Sequence, residues 1–493
     1  MKAVVILLDS LNRHFLSVYG NTWVHTPNID RLAKRSVVFD NHWIGSAPCM
    51  PARRDLLTGR LNFLERPWGG IEPYDEVLSE RLNQAGVHTH METDHYHYWY
   101  GGGEFYESMF KTWRSHRGQE KDRCAGPIAQ PPLPEHLGKL DPWYQRNRQR
   151  FSDDSTYPTP QTFLGAIDWL RTNREADNYL LWVEAFDPHE PFDVPQEYLD
   201  LYHDDWKGPT YYSSGYERVD EHSEATRHLQ RQYAATLTMA DRYLGRLLDE
   251  LESTGRLDDT LIIFTTDHGH FVGERGLTGK NRWHCYNQLA HIPLIVHLPG
   301  SRLAGQRRNC LTQNIDVFPT LLEHFGLSPR QPVHGRSLWP AFEDPAWSPR
   351  EAAIFGWYGK TVNVTDGRYT YFRSPAGPDN QPLYQYFLMP TTFHARFRPV
   401  DLEGAEFGRF LPYADCPVIR APYDRTVKGA YDPPIPPDDE LFQTMLYDIR
   451  TDYAQTRNLA GGPEEEAMIG LLTRAMRDHD SPAEQFQRLG LRG

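Results

Sequence analysis

Three residues stand out by type and place. Asp9 follows the apolar run AVVILL, and Asp267 and His268 follow LIIFTT, so two carboxylates and an imidazole close two short apolar segments. Oxygen ligands and one imidazole nitrogen brought together at sheet edges suit a divalent cation. The plainer reading is that Asp9 and Asp267 each cap the turn after their segment. A fourth reactive residue, Cys49, sits in the frame SAPCMPARRDLLTGR (46–60), with Pro51, Arg53 and the Thr58-Gly59 pair behind it. Taken alone, Cys49 reads as a buried cysteine before an ordinary helix. The joint occurrence of the framed thiol and the strand-end ligands argues for one reaction centre.

Such groups need elements to hold them. AVVILL (3–8), YLLWVEAF (179–186), LIIFTTDHG (261–269) and IPLIVHL (292–298) are short, strongly apolar and partly β-branched, and read as buried parallel strands. Residues 161–174 and 232–255 show helical spacing, the second closing on Gly255. This alternation predicts an α/β sheet covered on both faces by helices, with its site beyond the C-terminal ends of the strands. The Pro-rich span 126–160 reads as an irregular excursion from that core. After Pro349 the texture changes: residues 351–374 alternate in strand fashion around an Asp366-Gly367 hairpin signal. A loop-rich stretch runs to about 440, and the tail from 446 leads into a helix around 463–478. The expected division is therefore a catalytic α/β domain over 1–350 and a smaller α+β domain over 351–493.

At 493 residues the chain is long enough for both units, and 39% hydrophobic with 24% charged residues marks a soluble globular protein. A net charge of −14 argues against nucleic acid as the main partner, while leaving room for a small anion held by a few buried cations. No apolar run approaches the roughly 20 residues of a membrane span. MKAVVILLDS is interrupted too early by Asp9 to read as a signal peptide. The five cysteines are scattered and odd in number, which does not read as a disulfide framework. The expected compartment is the cytoplasm.

The frame Cys49-Met50-Pro51-Ala52-Arg53 followed by Leu57-Thr58-Gly59-Arg60 resembles the C-x-P-x-R and L-T-G-R signature of the type I sulfatases, members of the alkaline phosphatase superfamily. Residues 26–43, FDPHEPF (186–192), TTDHGHFVGERGLTGK (265–280), HIPLIVHLPG (291–300) and the tail 446–460 resemble further landmarks of that family; 96–160 and 375–440 are the least recognisable parts. The resemblance implies an alkaline-phosphatase-like sheet between helices with a small C-terminal domain. It also implies a maturation enzyme, a transient partner, that oxidises Cys49 to formylglycine, whose hydrated form is the nucleophile. A helix start there offers free N–H groups to an alkoxide and a sulfate. Asp9, Asp267 and His268 with the modified Cys49 would bind one divalent ion, calcium by its oxygen preference, with manganese left open by the imidazole. Arg53 would activate the nucleophile, and His189 and Lys280 would contact the sulfate and its bridging oxygen. The implied reaction is hydrolysis of a small anionic sulfate ester to inorganic sulfate and an alcohol, phenol or sugar, by a chain that could form a homo-oligomer.

Two departures matter. Many sulfatases carry a second Asp after the first; here it is Ser10, a weaker neutral ligand. Many also carry Gly-Lys-Trp-His where this chain reads GVHTHMETDHYHYWYGGG (86–103), placing Asp94 at the lysine position and Tyr96 at the histidine position. With no lysine there, His95 is taken to face the site. The plainer reading is that His88, His90, His95 and His97 are partly exposed histidines on an aromatic loop. His270 follows the 265–269 block at a position where the family commonly carries acidic residues, and His284, four positions after Lys280, could reach the substrate but reads at least as well as an ordinary core or surface residue. Arg114, Arg117 and Glu120 could serve the leaving group, though such a charge run is usually a solvated face. The missing lysine keeps a related phosphonate monoester or phosphodiester hydrolase open as the alternative. An inactive binding homologue is disfavoured, because it has no chemical need for this residue set.

Overall fold

The computed structural model describes residues 1–103, 105–424 and 442–492. Eight strands form the central sheet: β1 (Lys2–Leu8), β2 (Val37–Phe39), β3 (His88–Thr93), β4 (Thr112–Ser115), β5 (Tyr179–Ala185), β6 (Thr260–Thr265), β7 (Leu294–His297) and β8 (Arg307–Arg308). Their spatial order is β8-β2-β7-β6-β1-β5-β3-β4. β1 lies inside the sheet, parallel to β6 on one side and β5 on the other. It is covered on both faces, which is why its sequence is an unbroken apolar run rather than an alternating one.

Helices α1 (Pro27–Lys34), α2 (Cys49–Thr58), α3 (Pro158–Thr172), α4 (Glu224–Ser253) and α5 (Val317–His324) cover the faces. Val4, Ile6 and Leu8 pack with Phe163 of α3 and with Leu237 and Leu244 of α4. Ala3, Val5 and Leu7, from the opposite face of the same strand, pack with Leu56 and Leu57 of α2 and Phe318 of α5. The expected α/β sandwich is therefore present.

One strand departs from expectation. β7 runs antiparallel to both β6 and β2. Residues 266–293 carry two short strand pieces, the 3-10 turn Glu274–Gly276 and the one-turn helix Asn287–Ala290, with no crossover helix to return the chain to the opposite edge, so it re-enters the sheet from the edge it left. α4 begins eight residues before the expected 232, because the Ser223 side chain caps it by accepting from the Thr226 N–H. The span 126–160 is less irregular than expected: it contains the helix Pro142–Arg148, capped by Asp141.

Residues 351–424 and 442–492 build around a second, five-stranded sheet. β9 (Ala353–Trp357), β10 (Val362–Thr365), β11 (Tyr369–Arg373) and β12 (Met445–Asp448) form an antiparallel run, and the short strand Ser46–Ala47 pairs in parallel with β9. The smaller sheet is thus tied to the chain just ahead of Cys49. Asp366-Gly367 makes the hairpin, with Gly367 at φ 84° and the Asp366 carboxylate accepting from the Arg368 and Tyr369 N–H groups. Helix α6 (Glu465–Asp478) packs Met468 and Leu472 against β10 and β11. The stretch expected to be loop-rich contains a three-stranded sheet (Tyr384–Phe387, Glu406–Gly408, Val418–Pro422); its continuation over 425–441 lies outside the described residues. Among the described residues no helix is long and apolar enough to cross a membrane, and all five cysteines are free.

Candidate active site

Strand register builds the site. Leu7 of β1 sits level with Thr265 of β6 and with Glu184 of β5, which is level with Thr93 of β3. The residues just past these positions leave the sheet at one edge, which brings Asp9, Asp267, His268 and His95 together. α2 starts at the same edge with Cys49 in its first turn. Its C-terminal end explains the Thr-Gly pair: Gly59 adopts φ 67°, and a Cβ there would lie 2.8 Å from the Phe318 ring.

Asp9, Cys49, Asp267 and His268 are all buried, and one ligand atom from each lies within 4.8 Å of the others. The His268 Nδ1 faces the Gly269 carbonyl at 2.8 Å, which turns Nε2 toward Cys49 Sγ at 3.3 Å. That is the arrangement a metal-ligating histidine needs, with the far nitrogen fixing tautomer and ring plane. Asp267 Oδ1 is oriented by the N–H groups of Ser10 (3.0 Å) and His268 (2.8 Å). Two carboxylates, a neutral imidazole and residue 49 fit a single divalent ion. Burial and the adjacent Asp9 push the Cys49 thiol well above its usual range, so as a cysteine it stays protonated.

Arg53 sits one helical turn behind Cys49 and is the electrostatic hub. It donates to Asp9 (2.8 Å), Asp267 (2.6 Å), Glu184 (2.7 Å) and the Cys49 carbonyl (3.0 Å). Glu184 was not anticipated. The signal for it is a single acidic residue inside the otherwise apolar strand YLLWVEAF, where a buried charge requires a partner. Tyr98, from the aromatic loop, also donates to Glu184, at 3.0 Å. Burial alone would raise the Asp9 carboxyl, but Arg53 and Lys280 hold it well below the usual carboxylate range.

Lys280 reaches the cradle from the opposite side. Its Nζ donates to the Ser10 hydroxyl at 2.8 Å, and that hydroxyl donates to Asp9 Oδ1 at 2.7 Å. Ser10 is thereby spent as a bridge between Lys280 and Asp9. His189 lines the same cleft as Cys49 and Lys280, with Nδ1 2.6 Å from the Glu190 carbonyl and 3.4 Å from a Glu190 carboxylate oxygen. His95 lies beside the hub, its Nδ1 3.5 Å from Arg53 and 3.7 Å from Asp9, and its Nε2 is buried without a hydrogen-bond partner. Burial and Arg53 push its pKa well below the usual value, so it is neutral.

The other histidines separate. His97 lines the cleft; His88 and His90 lie at the far end of β3, where His90 contacts Glu92 and Thr112 and stacks on Trp169. His270 contacts Ser214 at 2.8 Å and sits behind Glu190, and His284 packs near Tyr286 and Phe372 outside the cleft lining. Asp94 turns away from the cradle to accept from Gln119, Thr159 and the Phe186 N–H. Arg117 and Glu120 line the cleft, while Arg114 pairs outside it with Asp168.

Above the cradle the cleft measures about 1270 Å³; its lining includes Trp99, Arg117, Lys139, Tyr216 and Arg282, with Trp68 and His394. Much of the wall thus comes from the stretches the sequence left least recognisable. A buried carboxylate–imidazole–thiol cradle at the strand ends, behind a helix start and under an open cleft, defines the alkaline-phosphatase-like class. Within it the chain belongs to the sulfatase family, and its curated sulfatase relatives mark it as a sulfuric ester hydrolase: the sulfatase profile matches residues 2–327. It is 26% identical over 417 residues to the choline-sulfatase of Rhizobium meliloti (strain 1021), covering 76% of this chain and 78% of that one. It is 25% identical over 426 residues to the N-acetylglucosamine-6-O-sulfatase of Bacteroides thetaiotaomicron, covering 72% and 74%. Among solved structures, the phosphonate monoester hydrolase of Agrobacterium radiobacter shares the fold with a TM-score of 0.68 at 20% identity, covering 97% of this chain and 96% of that one.

Proposed function

We propose that this protein hydrolyses a sulfate monoester, adding water and releasing inorganic sulfate with an alcohol, phenol or sugar, and that its nucleophile is formylglycine made from Cys49. The observation that carries the reading is the place of residue 49: buried, in the first turn of α2, and within the ligand cluster that opens to the cleft. One divalent ion, calcium before manganese, would be held by Asp9, residue 49, Asp267 and His268. When bound, the ion supplies positive charge beside the nucleophile, and formylglycine supplies the hydroxyl that attacks sulfur.

The chain's own residues do the remainder. Arg53 neutralises the carboxylates and fixes residue 49 through its carbonyl. Burial opposes the charge on Lys280, but the carboxylates of Asp9, Glu190 and Asp267 raise its pKa, so it remains a cation for the sulfate oxygens. His189, supported on Nδ1 by the Glu190 carbonyl and carboxylate, presents Nε2 as the proton donor to the leaving oxygen. His95, neutral and with a free Nε2, is the group taken to face the sulfate where this chain has no lysine.

The test is mass spectrometry of the Cys49 peptide alongside sulfate release. Protein made with the maturation enzyme should carry the aldehyde and turn over, and protein made without it should carry the thiol and be almost inactive. Full activity in wholly unmodified protein overturns the reading. A second reading, phosphonate monoester or phosphodiester hydrolysis, is supported by Asp94 at the lysine position, which leaves one sulfate-binding cation fewer. Side-by-side rates on an aryl sulfate and a phenylphosphonate ester separate the two.

A further inference from the structure

The cleft carries a charge pattern that the reaction centre does not use. Each of its acidic side chains is already engaged. Glu190 accepts from the Tyr216 hydroxyl at 2.5 Å, Glu120 from the Tyr96 hydroxyl at 2.7 Å, Asp122 from Arg117 Nε at 2.7 Å, and Asp141 from the Trp143 N–H at 2.8 Å. Of the lining cations, Lys280 is held by Ser10, Arg117 by Asp122, and Lys121 lies 3.4 Å from Glu120. Among the described residues no carboxylate pairs with Arg123, Lys139 or Arg282, which also face the cleft. In a chain of net charge −14, unpaired cations gathered at one cavity focus a positive potential there.

Two of them meet on one wall. Lys139 Nζ lies 4.3 Å from the centre of the Tyr216 ring, and Arg282 donates to the Tyr216 carbonyl at 3.4 Å. The Tyr216 hydroxyl then donates to Glu190, which flanks His189. The pair of cations is therefore linked through Tyr216 and then Glu190 to His189, the group proposed to face the leaving oxygen, and lines the same cleft. The volume of about 1270 Å³ exceeds the ~300–1,000 Å³ usual for small ligands, which leaves room for a sizeable leaving group.

We propose that Lys139 and Arg282, on either side of Tyr216, bind a second anionic group on the leaving part of the substrate, so that the enzyme selects acidic sulfated sugars, with a carboxylate or a further sulfate, over neutral alcohol sulfates. This rests on the sulfate-ester reading, and the experiment separates the two. Binding is measured by calorimetry in Cys49→Ala protein, which reads affinity without turnover. The probes are glucose 6-sulfate, glucose 2,6-disulfate, and a disaccharide joining 6-sulfoglucose to glucuronate. Both dianionic sugars should bind about tenfold more tightly than glucose 6-sulfate, and the margin should shrink as salt is raised. Adding Lys139→Met with Arg282→Gln should erase that margin and leave glucose 6-sulfate within about twofold. Loss for the disulfate alone assigns the pocket to sulfate; loss for the glucuronate alone assigns it to carboxylate. Equal affinities for all three probes, failure of both dianionic sugars to bind, or equal weakening of all three in the double variant overturns the proposal. Turnover of nitrophenyl sulfate by formylglycine-bearing protein judges the sulfate-ester reading separately, because that substrate has no second anion.

Discussion

In the cradle every reactive atom hangs from a strand end or the first turn of a helix. Asp9 is one residue past β1, Asp267 and His268 two and three past β6, and Cys49 opens α2. In the cleft much of the lining comes from connecting segments and short one- or two-turn elements, with Trp99 and Arg117 stacked 4.4 Å apart and Lys139 over Tyr216. The two regions also differ in dielectric setting. Arg53 and its three carboxylates are at most 1% exposed, whereas Arg117 of the cleft pair is 28% exposed. Register fixes the first region to within a hydrogen-bond length, and the second can change its residues without disturbing the sheet. Chemistry is thus held by the part that resists substitution, and substrate choice by the part that tolerates it.

The contrast breaks first, and hardest, at the cradle. Asp267→Ala should lose the metal and, with it, activity by on the order of 10³-fold, the scale of several kcal/mol of charge stabilisation. Elemental analysis should find one ion per wild-type chain and none in the variant. Two ions per chain would contradict a single site, because the buried Lys280 ammonium, 3.8 Å from Asp9 Oδ1, disfavours a second cation on that side of the cradle.

His189→Ala should act more selectively. An alkoxide needs a proton to leave and a nitrophenolate hardly does, so an alkyl sulfate should slow by about 10²–10⁴-fold and a nitrophenyl sulfate far less. Equal losses on both substrates with a lowered melting temperature would make His189 a packing residue against Phe186, whose ring centre is 4.1 Å away.

Stability should show the same division. Arg53→Met leaves Asp9, Asp267 and Glu184 buried without their cation and should cost about 3–5 kcal/mol. Arg117→Met takes the cation from a single buried carboxylate, Asp122, which keeps the Gly118 N–H, and should cost about 1–3 kcal/mol. Comparable losses in urea unfolding would show that the cleft is as tightly built as the cradle.

That division also governs what the sequence revealed. β1 and β6 announce themselves because fully covered strands must be apolar throughout, and a polar residue ending such a run marks a sheet edge. The candidate ligands, Cys49, Arg53, His189 and Lys280, were therefore legible before any coordinates, partly through their strand ends and partly through family resemblance. Glu184 was overlooked because its role lies in a contact with Arg53 across 131 positions of chain. The reversal of β7 was hidden because an apolar tetrad reads the same in either direction. The cleft was illegible for a further reason: Lys139, Tyr216 and Arg282 are loop residues of ordinary type, and their meaning lies in which of them lack a carboxylate.

An effect that shows only as pH falls lies beneath the cradle, and it tests how far the framework there shares its rigidity. Asn314 donates to the carbonyls of Thr266 (3.3 Å) and Asp267 (3.2 Å), so it presents its oxygen to His42, whose Nε2 lies 3.2 Å away and carries the hydrogen. His42 Nδ1 then accepts from the Thr312 hydroxyl at 2.9 Å. Burial lowers the His42 pKa from 6.5 to about 4. Between those values the unfolded chain binds a proton that the folded chain does not, so stability falls as pH drops below about 6.5 and is unaffected above it. At pH 5 this one group should remove about 2 kcal/mol relative to pH 7. His42→Gln cannot be protonated; it should be somewhat less stable at pH 7 but lose about 2 kcal/mol less on going to pH 5. Urea unfolding of both proteins at the two pH values reads the difference. Parallel losses would mean that the His42 site opens to water, and that the support under Asp267 is softer than the cradle it carries.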